Sequence, residues 1–252
     1  MSDRVLAALD GGVLTATLNR PEKKNAIDTP MIDALLTLLE RADLDSAVRV
    51  VAVRGAGADF CAGMDLNELL ASADKSVEQN RQAAMHFAEI FVRMRRIPKP
   101  IVAVVHGRAL AGGCGLATAC DLVLATESAK FGYPEVQRGF VPAIVMTLLK
   151  RTTGEKVAFD LAATGRILGA PEAAGLGLVS RVYEDSDFED QVAEVLRALA
   201  AASPSALAFT KQQFYELDSL RFEDGIQLGA DVNAVSRTTP DFRAALQAFL
   251  KK

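Results

Sequence analysis

Histidine and cysteine are scarce in this chain, two and three among 252 residues. Cys61, Cys114 and Cys120 cannot all pair, and no two of them stand in a C-x-x-C spacing. Such a set builds neither a disulfide framework nor a zinc site, and two histidines leave little for a His-rich metal centre. No metal ligands are therefore expected. No apolar run approaches the roughly 18 residues that would span a bilayer. Met1-Ser2-Asp3-Arg4 carries charge where a leader peptide would carry an apolar stretch. Low-complexity segments and repeats of fixed period are missing as well. A positive excess is also lacking: 28 Lys and Arg against 32 Asp and Glu leave a net charge of −4. Mild acidity speaks against nucleic acid as a partner. The expectation is a cytoplasmic protein that engages neither membrane nor nucleic acid.

What the chain does have is material for a core: half of it is hydrophobic and 24% is charged, which suits a globular protein of one large domain or two small ones. Val5 to Leu9 and Val13 to Leu18 flank Asp10-Gly11-Gly12 and read as a hairpin. Thr29 reads as a helix N-cap with Pro30 at the first helical position, and Ile32, Leu35, Leu36 and Leu39 follow as one buried stripe. Val48 to Val53, Ile101 to Val105 and Leu122 to Ala125 are apolar runs of the kind buried on both faces of a sheet. Between them, Ser72 to Arg96 leads into a helix with Phe87, Ile90, Phe91 and Met94 on its apolar face, ended by Ile97-Pro98-Lys99-Pro100. Strands alternating with helices predict an α/β fold with a largely parallel sheet. After about residue 186 only helical patterns occur: Phe188 to Ala201, Pro204 to Leu217, Phe222 to Val235 and Pro240 to Leu250. An α/β core over residues 1–190 is thus expected to precede a helical region over 191–252.

Two stretches carry the chemistry. Arg54-Gly55-Ala56-Gly57-Ala58-Asp59-Phe60-Cys61-Ala62-Gly63-Met64-Asp65-Leu66 runs from a buried strand through small residues into a short helix at Asp65. Gly107-Arg108-Ala109-Leu110-Ala111-Gly112-Gly113-Cys114-Gly115-Leu116 does the same after the next strand. Glycine and alanine permit close backbone approach, and amides at a helix start are free to point at a ligand oxygen. One amide from each loop on a single oxygen is the geometry of an oxyanion hole for a thioester enolate. Taken singly, each loop is equally readable as a tight turn or a close packing contact. Neither fits G-x-G-x-x-G or the phosphate-binding loop with Gly-Lys-Ser/Thr.

The two loops, in this order and spacing, resemble the crotonase superfamily, also called the enoyl-CoA hydratase/isomerase family. Leu18-Asn19-Arg20-Pro21 with Asn25-Ala26-Ile27 resembles its N-terminal signature. Phe131-Gly132-Tyr133-Pro134-Glu135 followed by Gly139 resembles its catalytic glutamate segment, and Glu172-Ala173 with Gly177-Leu178-Val179 extends the likeness to about residue 180. The resemblance implies a spiral of ββα turns with a helical C-terminal trimerisation region, and trimers often stacked as hexamers. It implies an acyl-CoA thioester as substrate, whose coenzyme A is the only cofactor-like group required. By position, the amides of Met64 and Gly112 would hold the thioester oxygen and Glu135 would be the acid/base. Lys24, Ala26, Asp65 and Leu66 would lie along the adenine and pantetheine, with Ala62, Gly113 and Tyr133 completing the substrate site.

One departure bears on the reaction. Family hydratases carry a second glutamate at the position of Gly115. Hydration uses one carboxylate to activate water and an acid for the α-proton, whereas moving a double bond needs one carboxylate to shuttle a proton between Cα and Cγ. Gly115 therefore favours isomerisation with Glu135 alone. Hydration of a 2-enoyl-CoA is the alternative, with one glutamate and a water held by other groups, or with a carboxylate such as Glu68 or Glu78 entering from the 67–85 segment. Thioester hydrolysis or decarboxylation and non-catalytic binding of a CoA thioester are further readings. Cys61 and Cys114 read as small buried hydrophobes, His106 as the end of a strand, His86 as a helix surface residue, and Asp121 as a fixing point for a loop or for the second glycine loop's helix. Val141, Ile144, Val145 and the 67–90 segment are expected to shape the acyl pocket.

Overall fold

The computed structural model describes residues 3–251. Met1 and Ser2, half of the stretch read above as lacking a leader, lie outside the described residues, as does Lys252. The expected hairpin opens the fold as β1 (Val5–Asp10) and β2 (Val13–Leu18), joined by the Gly11-Gly12 turn. Helix α1 (Thr29–Leu44) follows, then β3 (Val50–Gly55), α2 (Leu66–Ser72), α3 (Val77–Arg96), β4 (Ile101–Val105), β5 (Arg108–Leu110) and α4 (Gly112–Ala119). The next elements are β6 (Leu122–Thr126), β7 (Lys130–Gly132), α5 (Val145–Thr153), α6 (Glu155–Thr164), β8 (Ile167–Gly169), α7 (Ala170–Gly175) and β9 (Arg181–Tyr183). Four helices close the chain: α8 (Phe188–Ala201), α9 (Pro204–Glu216), α10 (Phe222–Ser236) and α11 (Pro240–Leu250).

The strands form a six-stranded sheet in the order β1-β2-β3-β4-β6-β9, parallel except for the first hairpin. A smaller sheet, β5-β7-β8, stands beside it. Each turn of chain places one strand in the large sheet, a short extended piece in the second layer, and then a helix. In the turns starting at β2 and β3 that short piece is a single bridging residue, Ile27 and Cys61. Ile27 pairs with Met64, and Cys61 with Ala109 of β5. This is the expected spiral of ββα turns.

The main core lies between the large sheet and α1, α3, α4, α5 and α6. Phe87, Ile90, Phe91 and Met94 are buried as their spacing predicted. A second cluster covers the other face, where Phe188, Val192, Val195 and Leu196 of α8, a helix that straddles residue 190, pack on Val50, Ala52, Val102, Val104 and Leu124. Central strands buried on both faces account for their unbroken apolar runs.

Two local expectations shift. The α1 cap is Asp28, whose carboxylate accepts the Met31 amide at 3.0 Å, and Thr29 is already helical. The Thr29 amide and hydroxyl instead donate to the Glu68 carboxylate. The stretch from Ser72 holds the end of one helix and the start of another, because Ser76 and Gln79 form a capping box that begins α3. Asp121 fixes more than a loop end. Its carboxylate accepts from the Ile101 amide and the Tyr215 hydroxyl, each at 2.7 Å, and pairs with the buried Lys211 ammonium at 2.7 Å. Helix α9 is thereby pinned to the start of β4.

Candidate active site

Two glycine-bearing loops meet beside a single cavity. Cys61 is drawn into the second layer by its amide, which donates to Arg108 O at 2.9 Å, and by its carbonyl, which accepts the Leu110 amide at 2.9 Å. This pairing aligns Gly63–Met64 with Ala111–Gly112. The contact is close: a side chain on Gly63 would come within 2.8 Å of Ala111 Cβ and 3.2 Å of Gly112 N. Met64 and Gly112 both line the cavity. Among the described residues neither amide donates to a protein acceptor. For Gly112 the cause is its place as the first residue of α4, where an amide has no intrahelical partner.

The cavity has a volume of about 950 Å³. Of the residues placed at the ligand by resemblance, Lys24, Ala26, Ala62, Met64, Asp65, Leu66, Gly112 and Glu135 all line it. Gly113 and Tyr133 do not. Gly113 is packed on the first loop, where a side chain would meet Cys61 O at 2.4 Å and Cys61 Sγ at 2.7 Å. Tyr133 is fully buried, and its hydroxyl shares a 2.8 Å hydrogen bond with Thr118 Oγ1 inside the core. Val141, Ile144 and Val145 are not on the wall either; Phe140 is, with Leu69, Leu70, Ala73 and Asn80 from the 67–90 segment.

Glu135 sits in a short helical turn, Pro134–Arg138, that follows β7 directly. It is only 8% exposed, and its Oε2 has no hydrogen-bond partner among the described residues. Burial raises its pKa above the ordinary glutamate value; its own amide and the Arg138 charge pull the other way without cancelling the effect. Arg138, three residues on, lines the same cavity. Neither Arg138 nor Ala111 was singled out from sequence. A helical turn's i, i+3 spacing from Glu135 was the available signal for the first.

Asp65 is the other carboxylate of the wall, but it is engaged. It caps α2 through the Asn67 amide at 2.8 Å and pairs with Arg20 at 3.0 Å. Burial pushes its pKa up, yet these amide and guanidinium bonds together hold it below the ordinary aspartate value. Glu68 is occupied at Thr29, and Glu78 pairs with Arg81 on the surface; neither lines the cavity. The place a side chain at Gly115 would take is filled by Val145, whose Cγ1 would lie 2.1 Å from the added carbon.

The thiols are inert by environment. Burial pushes Cys61 up to about 12 and Cys114 up to about 11. His86 pairs with Asp33 on the surface and His106 bonds Gly57 O. Among the described residues no three His, Cys, Asp or Glu side chains gather as a metal site.

Two amides without protein acceptors and a buried carboxylate on the wall of one cavity are groups that can hold a developing oxyanion and move a proton. The chain is similar to known proteins over nearly all of its length. A family model described as enoyl-CoA hydratase/isomerase matches residues 9–252. A putative enoyl-CoA hydratase of Thermus thermophilus is 39% identical over 242 residues, which are 96% of this chain and 96% of that protein. The 1,2-epoxyphenylacetyl-CoA isomerase of Escherichia coli is 31% identical, covering 100% of this chain and 97% of its own. The crystal structure of an enoyl-CoA hydratase from Mycobacterium smegmatis aligns with a TM-score of 0.94 at 32% identity, over 99% of this chain and 97% of that one. Sequence and backbone likeness run along nearly the whole length, and the chain is an enzyme of the enoyl-CoA hydratase/isomerase family, in the crotonase superfamily of acyl-CoA enzymes.

Proposed function

We propose that this enzyme moves the double bond of an enoyl-CoA, with Glu135 as its single acid/base and the Met64 and Gly112 amides as its oxyanion donors. The carrying observation is the cavity's carboxylate count: Glu135 keeps one buried oxygen without a partner, Asp65 is held by Arg20, and the place of a side chain at Gly115 is filled by Val145. Glu135 takes a proton from Cα of a 3-enoyl thioester. The C–H electron pair spreads through the double bond and carbonyl as a dienolate, whose oxygen accepts from the two amides. Glu135 then returns the proton to Cγ, and the double bond lies between Cα and Cβ. One carboxylate ends as it began, so no water and no further cofactor enter the balance. The raised pKa of Glu135 makes it a stronger base once ionised.

In this reading coenzyme A lies along Lys24, Ala26, Asp65 and Leu66. Its contact with Asp65 is with backbone, since the side chain is spent. The same reading includes a trimer built on the C-terminal helices: α10 and α11 bury none of their residues, and Phe222 and Phe249 are 79% and 75% exposed.

The test is product analysis by mass spectrometry in deuterated water, with a 2-enoyl-CoA and a 3-enoyl-CoA supplied separately. Conversion of the 3-enoyl to the 2-enoyl form without added water is the expected result. Gain of one water by the 2-enoyl substrate as the faster reaction would establish hydration instead.

A further inference from the structure

Among the described residues three non-glycine residues have positive φ, and one of them, Ala111, immediately precedes Gly112. Its φ of 52° and ψ of −128° lie in a region that L-residues avoid and glycine tolerates. Strain of this kind persists only where the surroundings over-determine it, and it gathers at functional sites. Here the surroundings are specific. The Ala111 amide donates to Gly132 O at 2.8 Å, at the end of the strand that leads through Tyr133 and Pro134 to Glu135. Its Cβ occupies the space beside Gly63, where an added carbon would come within 2.8 Å of it, and Gly63 precedes Met64. Its carbonyl accepts the Gly115 amide and starts α4. One residue thus touches the first loop by its methyl, the base-bearing strand by its amide, and the second loop's helix by its carbonyl.

We propose that Ala111 is a positioning residue that sets the spacing of the two amide donors and their register against Glu135, its methyl acting as the spacer. This rests on the reading of Met64, Gly112 and Glu135 as an enolate-forming site. Glycine at 111 would relieve the strain but leave Gly63 without its backstop, so the donors would no longer be held at one separation. A misplacement of about 1 Å in such a site costs on the order of 10²-fold in rate.

The experiment follows solvent deuterium into Cα of a saturated acyl-CoA by NMR, which reports enolate formation whatever the final product, and the dissociation constant of the same thioester by calorimetry. Ala111→Gly is expected to slow exchange at least about tenfold with binding unchanged within about threefold and a thermal midpoint no lower than wild type. Ala111→Ser, which keeps the Cβ, is expected to stay within about threefold of the wild-type exchange rate. Wild-type exchange in Ala111→Gly would overturn the spacer role while leaving the enolate site standing. Loss of exchange that merely tracks a lowered midpoint, in both variants, would reduce Ala111 to a structural residue. Absence of exchange in the wild type would instead sink the enolate reading, and this inference with it.

Discussion

Asp65 and Glu135 face one cavity and are buried alike, 6% and 8% exposed, yet the protein treats them differently. Asp65 is surrounded by donors: two amides at the start of α2 and the Arg20 guanidinium, which also pairs with Asp28 at 3.3 Å. Its charge is compensated and its pKa is lowered despite burial. Glu135 has burial without partners, apart from its own amide and the Arg138 charge, and its pKa is raised. At Asp65 desolvation is outweighed by the donors, whereas at Glu135 desolvation prevails, so the two carboxyls shift in opposite directions. Asp65 ties the first loop to Arg20 and α2, and Glu135 is the carboxylate to which the proposed proton transfer is given.

The largest test of this contrast is Glu135→Gln. Turnover is expected to fall about 10²–10⁴-fold with thioester binding retained. The variant should melt no lower than wild type at pH 7, because it removes a buried charge the fold does not compensate. That advantage should fade as pH falls through the raised pKa, where wild-type Glu135 becomes neutral as well. A lower midpoint at pH 7 would show that the charge is compensated after all. Gly112→Pro deletes one donor at a helix position that accepts proline, and kcat is expected to drop about 10²–10³-fold in steady-state assays. An unchanged kcat would free Gly112 from the reaction.

Arg20→Ala addresses the other carboxylate. It leaves Asp28 and Asp65 buried without their shared cation, and urea titration at neutral pH should show a loss of about 3–5 kcal/mol. Because the Asp65 pKa is depressed, its contribution is present at neutral pH and lost as pH falls through that lowered value, opposite in sign to Glu135. A loss under about 1 kcal/mol would place the pair with exposed ion pairs. The smallest effect is expected from Arg138→Ala. Removing its charge should move the rising limb of the kcat/KM pH profile upward, since Arg138 favours ionised Glu135. An unmoved limb would mean that solvent screens this cation from the carboxylate.

Much of this was legible in the chain itself. The hairpin, the central strands, the four C-terminal helices and the buried face of α3 follow from period and punctuation, because their side-chain pattern repeats within one element. The strands β5, β7 and β8 were not legible: three residues each is too short for a period, and their pairing comes from distant chain. The α1 cap falls one residue before Thr29, because Asp28 and Thr29 are both good caps and Arg4 and Arg20 hold the carboxylate of the first.

The α/β class, the two glycine-bearing loops and the lack of a glutamate at Gly115 can be read along the chain, and the resemblance adds Glu135 as the carboxylate that serves those loops. Only the tertiary structure decided how those residues are used: that Val145 fills the space beside Gly115, that Arg20 takes Asp65 out of play, that Tyr133 turns to Thr118, and that Ala111 joins the loops to the strand of Glu135. Each is a contact between residues 15 to 48 positions apart, set by how layers pack, and no local pattern of side chains encodes it.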